Sequence, residues 1–89
     1  MTTTAGVSFT LRCRVSGAPT PLVIWKRRGS LIPRNRAKIL ADNSLQVSAV
    51  TTRDAGAYTC QAENPFGTIE STVNVKVEGA YIRLAFFPR

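Results

Sequence analysis

Along most of this chain apolar and polar residues change places at every step, and that period of two restricts the fold more than anything else. Val7, Phe9, Leu11, Cys13 and Val15 alternate with Ser8, Thr10, Arg12, Arg14 and Ser16. Such a run is a strand with one buried and one wet face. Gly17-Ala-Pro-Thr-Pro21 ends it, because proline has no N–H to give to a ladder. Val23 and Trp25 then share one face, with Ile24 and Lys26 on the other. Gly29-Ser30 marks a turn, Leu31-Ile32-Pro33 a short edge segment, Ala37 to Ala41 another strand and Asp42-Asn43 a tight turn. Leu45 and Val47 alternate with Ser44, Gln46 and Ser48, and Val50 closes that strand before a polar corner from Thr51 to Gly56. Tyr58 and Cys60 alternate with Ala57, Thr59 and Gln61. Asn64-Pro65-Phe66-Gly67 reads as a hairpin loop, and Ile69 to Val77 as the last strand. No segment carries a helical stripe. About seven short strands at roughly ten-residue spacing predict an all-β antiparallel sandwich.

The chain has 89 residues, enough for one small domain. Apolar residues make up 44% and charged residues 19%, a globular rather than a disordered composition. No apolar run approaches the roughly 18 residues of a membrane span, and Met1-Thr-Thr-Thr carries no apolar signal core. There is no histidine. That removes the commonest general base and every Ser-His or Cys-His nucleophile pair. Two cysteines without histidine cannot build a zinc site, and no paired-carboxylate or phosphate-loop pattern occurs. The expectation is a protein that is not an enzyme and holds no metal or cofactor. A domain of this size is marginal on its core alone. A bridge between Cys13 and Cys60 would close a long loop and stabilise by about 4 kcal/mol, and would imply an oxidising compartment. Two buried free thiols in a cytosolic protein are the alternative.

Cys13, Trp25 and Cys60 have the spacing of an immunoglobulin domain. The run Leu45-x-Val47-x-x-Val50-x-x-x-Asp54-x-Gly56-x-Tyr58-x-Cys60, followed by Ala62-Glu63-Asn64-x-x-Gly67, resembles the intermediate, or I-set, type. The resemblance covers about residues 6–78. It implies an immunoglobulin-like sandwich with a Cys13–Cys60 disulfide, Trp25 packed on it, and Tyr58 bonded back to the corner before it. It implies scaffold roles for Leu45, Asp54 and Gly56, with Arg36 or Lys38 as the basic partner of Asp54. Only Met1 to Ala5 precede the glycine at position 6, so the first strand is expected to be truncated and the edge of the second uncovered. Residues 1–78 are expected to form a single domain. Residues 79–89 form an apolar tail in which Ile82, Leu84 and Phe86 alternate, either the start of a following module or an added edge strand.

Charge is the other guide. Twelve Lys and Arg face five Asp and Glu, a net charge of +7. Lys26, Arg27, Arg28, Arg34, Arg36 and Lys38 all precede the first acid, Asp42. They are candidates for binding a polyanion through arginine forks and lysine point charges. In an extracellular module that polyanion is heparan sulfate; a solvated basic surface is the alternative. Specific nucleic-acid binding is not expected, for want of a recognition helix and exposed stacking aromatics. Phe66 at the hairpin tip, with Ile82, Leu84 and Phe86, is a candidate partner contact; the alternative for Phe66 is that it folds back to cover the end of the sandwich. The resemblance implies a protein-recognition module of a multidomain cell-surface adhesion or guidance receptor, or of a matrix protein. Its partners would be a protein ligand or neighbouring domains, with no membrane contact of its own. An exposed edge or the tail offers a route to a homodimer. The alternative is a spacer or filament-binding module of an intracellular muscle or cytoskeletal scaffold.

Overall fold

Phe9, Leu11, Leu45, Val47, Val50, Tyr58 and Val75 form one buried cluster; Val50 follows β5, and the other six come from alternate positions of four strands. Thr10 and Gln46, the residues between, stay wetter. The computed structural model describes residues 1–79. The strands are β1 (Thr2–Thr4), β2 (Phe9–Leu11), β3 (Leu22–Arg27), β4 (Ala37–Ile39), β5 (Leu45–Val47), β6 (Gly56–Asn64) and β7 (Gly67–Glu78). One sheet runs β1-β7-β6-β3 and the other β2-β5-β4. The architecture is an immunoglobulin-like sandwich. Within the core the Phe9 ring meets Tyr58 edge-on, 5.7 Å between centroids, a favoured aromatic geometry.

The first strand is truncated to three residues, as expected; it lies on β7, and one other segment departs from the sequence expectation. β1 pairs in parallel, Thr2 opposite Lys76 and Thr4 opposite Glu78. The α-amino group donates to the Asn74 carbonyl at 2.9 Å. Gly6, at φ 95°, then lets the chain cross to the second sheet. There Gly6 N–H donates to Val50 O and Val50 N–H to Val7 O, at 2.7 and 3.0 Å. Among the described residues no strand lies on the other side of β2. Its ladder therefore stops at Leu11, although burial at Cys13 keeps the same alternation. Leu31-Ile32-Pro33 joins no sheet. Pro33 has no N–H to donate, and the turn at Gly29, φ 73°, carries the chain away from β3. Among the described residues β3 and β4 thus end their sheets as unpaired edges.

Candidate functional site

The corner before β6 decides which basic residues are free. Thr52–Asp54 forms one 3₁₀ turn, with Thr51 as its cap. Thr51 Oγ1 accepts from Arg53 N–H, and Thr51 N–H donates to Asp54 Oδ2 at 2.8 Å, a reciprocal capping box. Asp54 is 2% exposed. A carboxylate so buried needs a paired cation. Arg36 supplies it as a fork, Nη1 to Oδ2 at 2.8 Å and Nη2 to Oδ1 at 2.9 Å. Arg36 Nη1 also donates to the carbonyls of Ser48 and Ala49. The Arg36 hydrogen bonds hold the Asp54 carboxyl below its ordinary range; burial opposes this and the Thr51 N–H adds to it. Tyr58 Oη donates to Asp54 O at 2.5 Å, and burial pushes its phenol above the ordinary value.

Arg27 belongs to the same corner. Its guanidinium lies 5.5 Å from the centre of the Tyr58 ring. Its Nη2 donates to the carbonyls of Arg53 and Ala55, and its Nη1 to that of Leu31. Gly56 beside it adopts φ 147°, where a Cβ would also stand 3.5 Å from Arg27 Nε. Lys26 pairs with Glu70 across the outer face at 3.2 Å, both half-exposed. The six clustered cations therefore divide. Arg36 and Arg27 are tied into the corner, and Lys26 has a surface partner. Arg28, Arg34 and Lys38 are exposed and make no side-chain hydrogen bond or ion pair among the described residues.

Between the two unpaired edges lies a groove of about 710 Å³. Trp25, Ile32, Ala37, Ile39 and Leu45 line it, and Lys26, Arg27, Arg34 and Lys38 stand around it. No acid lines it. Trp25 is half-buried against the core, and its indole N–H donates to Asn43 O at 2.8 Å. Leu31 lies on the rim with 87% of its surface exposed. Sequence reasoning missed this groove. Its one available signal was the apolar pair Leu31-Ile32 inside a basic run.

Cys13 and Cys60 are joined as a disulfide between β6 and the segment after β2, Cα to Cα 6.2 Å. Trp25 stands beside Cys60 in register. At the opposite pole Pro65 and Phe66 make the two-residue turn of the β6–β7 hairpin, where Asn64 Oδ1 accepts from Phe66 N–H at 2.9 Å. Phe66 is 83% exposed and does not cover the end of the sandwich. Ile82, Leu84 and Phe86 lie outside the described residues.

Comparison with known proteins agrees with this geometry. A family model for the immunoglobulin I-set domain matches residues 1–77. Protein sax-3 of Caenorhabditis elegans is 39% identical over 79 residues, and neuroglian of Drosophila melanogaster 38% over 78. Each match covers 88% of this chain and 6% of the relative, so the chain spans a small fraction of the curated proteins it resembles. Among solved structures, a complex of titin and obscurin-like 1 immunoglobulin domains superposes with a TM-score of 0.81 at 29% identity, covering 91% of this chain and 87% of that one. With the Cys13–Cys60 bridge, the Tyr58 corner and the Asp54–Arg36 fork all on this frame, the chain belongs to the immunoglobulin I-set family.

Proposed function

We propose that this domain is a noncatalytic recognition module of a multidomain cell-surface adhesion or guidance receptor, or of a matrix protein, and that it works outside the cell. The observation that carries this reading is the disulfide between Cys13 and Cys60, which belongs to an oxidising compartment. Similarity to sax-3 and neuroglian over 88% of the chain supports it. Recognition is by surface complementarity, with protein partners or neighbouring domains meeting the groove and the Phe66 tip. Heparan sulfate adds to this through Arg28, Arg34 and Lys38, whose charges are not already spent on the fold. Arg36 and Arg27 contribute little, because their donors are occupied by Asp54 and by backbone carbonyls. The test is retention on heparin. The triple variant Arg28→Ala, Arg34→Ala, Lys38→Ala elutes at clearly lower salt than the parent; unchanged elution refutes the heparan sulfate reading.

The likeness to the titin and obscurin-like 1 domains supports a second reading, a spacer or filament-binding module inside muscle or the cytoskeleton. Mass measurement of native protein before and after reduction and alkylation separates the two. A two-proton deficit that reduction abolishes supports the extracellular module. Two free thiols in folded, non-reduced material support the scaffold.

A further inference from the structure

We propose that the open edge of β3 is a strand-accepting site, which takes an extended segment of a partner protein in which apolar and acidic residues alternate. Backbone phase comes first. Arg28 N–H donates to Ala57 O at 3.0 Å, which marks the hydrogen-bonded positions of the β3–β6 ladder. By the alternation of antiparallel pairs, Lys26, Ile24 and Leu22 also turn their backbone groups toward β6. Val23, Trp25 and Arg27 therefore turn theirs to the open side, and none of the three has a backbone hydrogen bond there among the described residues. The facing lip is phased the same way. Leu40 N–H donates to Ser44 O and Ser48 N–H to Arg36 O, which leaves the backbone groups of Ala37 and Ile39 pointing outward from β4.

The longer edge is the one that can hold a guest. β3 has six residues, about 20 Å of strand, whereas β4 has three. Side chains of an added strand alternate between the two faces, as those of β3 do. On the inner face they meet Trp25, Ile32 and Ile39, which suits apolar residues. On the outer face they pass the exposed Leu22 and Ile24 and then, toward the other end of β3, stand beside Lys26 and the exposed Arg28, where carboxylates are suited. The Lys26–Glu70 pair is half-exposed and so weak that a guest carboxylate can replace it. The unpaired edge of β2 is a poorer candidate. It has only three residues, and the gap of about 140 Å³ beyond its end is lined by Glu70 as well as by Arg12 and Arg14. A sulfated sugar has neither a peptide ladder nor apolar side chains, so this inference goes beyond the polyanion reading.

The probes are three synthetic peptides: one alternating Val and Glu, one alternating Val and Lys, and the Val-Glu peptide N-methylated on the amides that would face β3. Each is added to the full, oxidised, isotope-labelled chain. The Val-Glu peptide slows amide exchange of Val23, Trp25 and Arg27 about tenfold or more; the other two do not. Leu31→Asp, at an exposed position that leaves the fold intact, weakens the effect by about tenfold. Equal binding of the N-methylated peptide, protection confined to β2, or no protection at β3 overturns the proposal. Heparin retention is read on the same samples. Loss of retention in the triple variant with no β3 protection in the parent overturns this site and leaves the polyanion reading standing; β3 protection with unchanged retention does the reverse.

Discussion

Replacing Arg36 with alanine tests how the basic cluster divides between scaffold and surface. The change removes two charge-assisted bonds to Asp54, at 2.8 and 2.9 Å, and leaves its carboxylate only the contacts with Thr51. Breaking a buried pair by removing one partner costs about 3–5 kcal/mol. The Arg36 side chain is 25% exposed and that of Asp54 3%, so water screens one partner and the lower end applies, about 3 kcal/mol. A domain of this size holds roughly 5–13 kcal/mol in all. The loss is then about a quarter to three fifths of the total, or a fall in Tm of about 12–24 °C. Urea unfolding followed by the fluorescence of Trp25, the single tryptophan, gives the number with the disulfide intact. Arg34→Ala is the internal control, since it removes a charge from the same run but no hydrogen bond, and it changes stability by no more than about 0.5 kcal/mol. Equal small losses for the two variants would refute the assignment of Arg36 to the scaffold. Equal large ones would refute the placing of Arg34 outside it.

The same pair fixes a pH dependence. The folded carboxyl of Asp54 lies below its ordinary value, so the unfolded chain binds the proton more readily. The contribution is fully present above the ordinary carboxylate pKa and is lost as pH falls from there through the lowered folded value; the acid limb of a stability–pH curve is therefore shallower in Arg36→Ala. Reducing the Cys13–Cys60 bridge, or replacing both cysteines with alanine, lowers stability by about 4 kcal/mol, as the closure of a loop with 47 residues of separation predicts; chemical denaturation of the two forms checks this. Gly56→Ala places a Cβ at φ 147° beside Arg27 and costs about 1–3 kcal/mol in the same assay.

The inward positions of the long strands were legible because a ladder with one dry face has a period of two. Tyr58, Cys60 and Ala62 on β6 and Val75 on β7 are buried as their alternation requires. β1 was not legible. Thr2–Thr4 has no apolar alternation, and its place comes from backbone pairing with residues some 74 positions later. The basic run shows the same limit at the site. Lys26 to Lys38 stand out as one cluster in linear order, yet what separates Arg36 from Arg34 is Asp54, 18 residues on. What separates Arg27 from Arg28 is a pair of carbonyls 26 and 28 residues on. Local spacing carries charge density; it does not carry which charges the corner consumes. The groove escaped for a related reason. Its walls are two edges that no strand covers among the described residues, and an uncovered edge is a property of sheet order, not of any one segment.

The disulfide has a mechanical consequence as well. Cys13 lies just past β2 and Cys60 in the middle of β6, so the bridge encloses β3, β4, β5 and the corner. Tension applied to the ends of the described chain passes through the sulfurs and bypasses everything between them. The 47 residues of separation hold back roughly 160 Å of contour length. An oxidised domain pulled from its ends can pay out only the short flanking pieces, and reduction releases the rest. In a chain held at both ends the redox state of this one bond sets how far the domain lengthens under load.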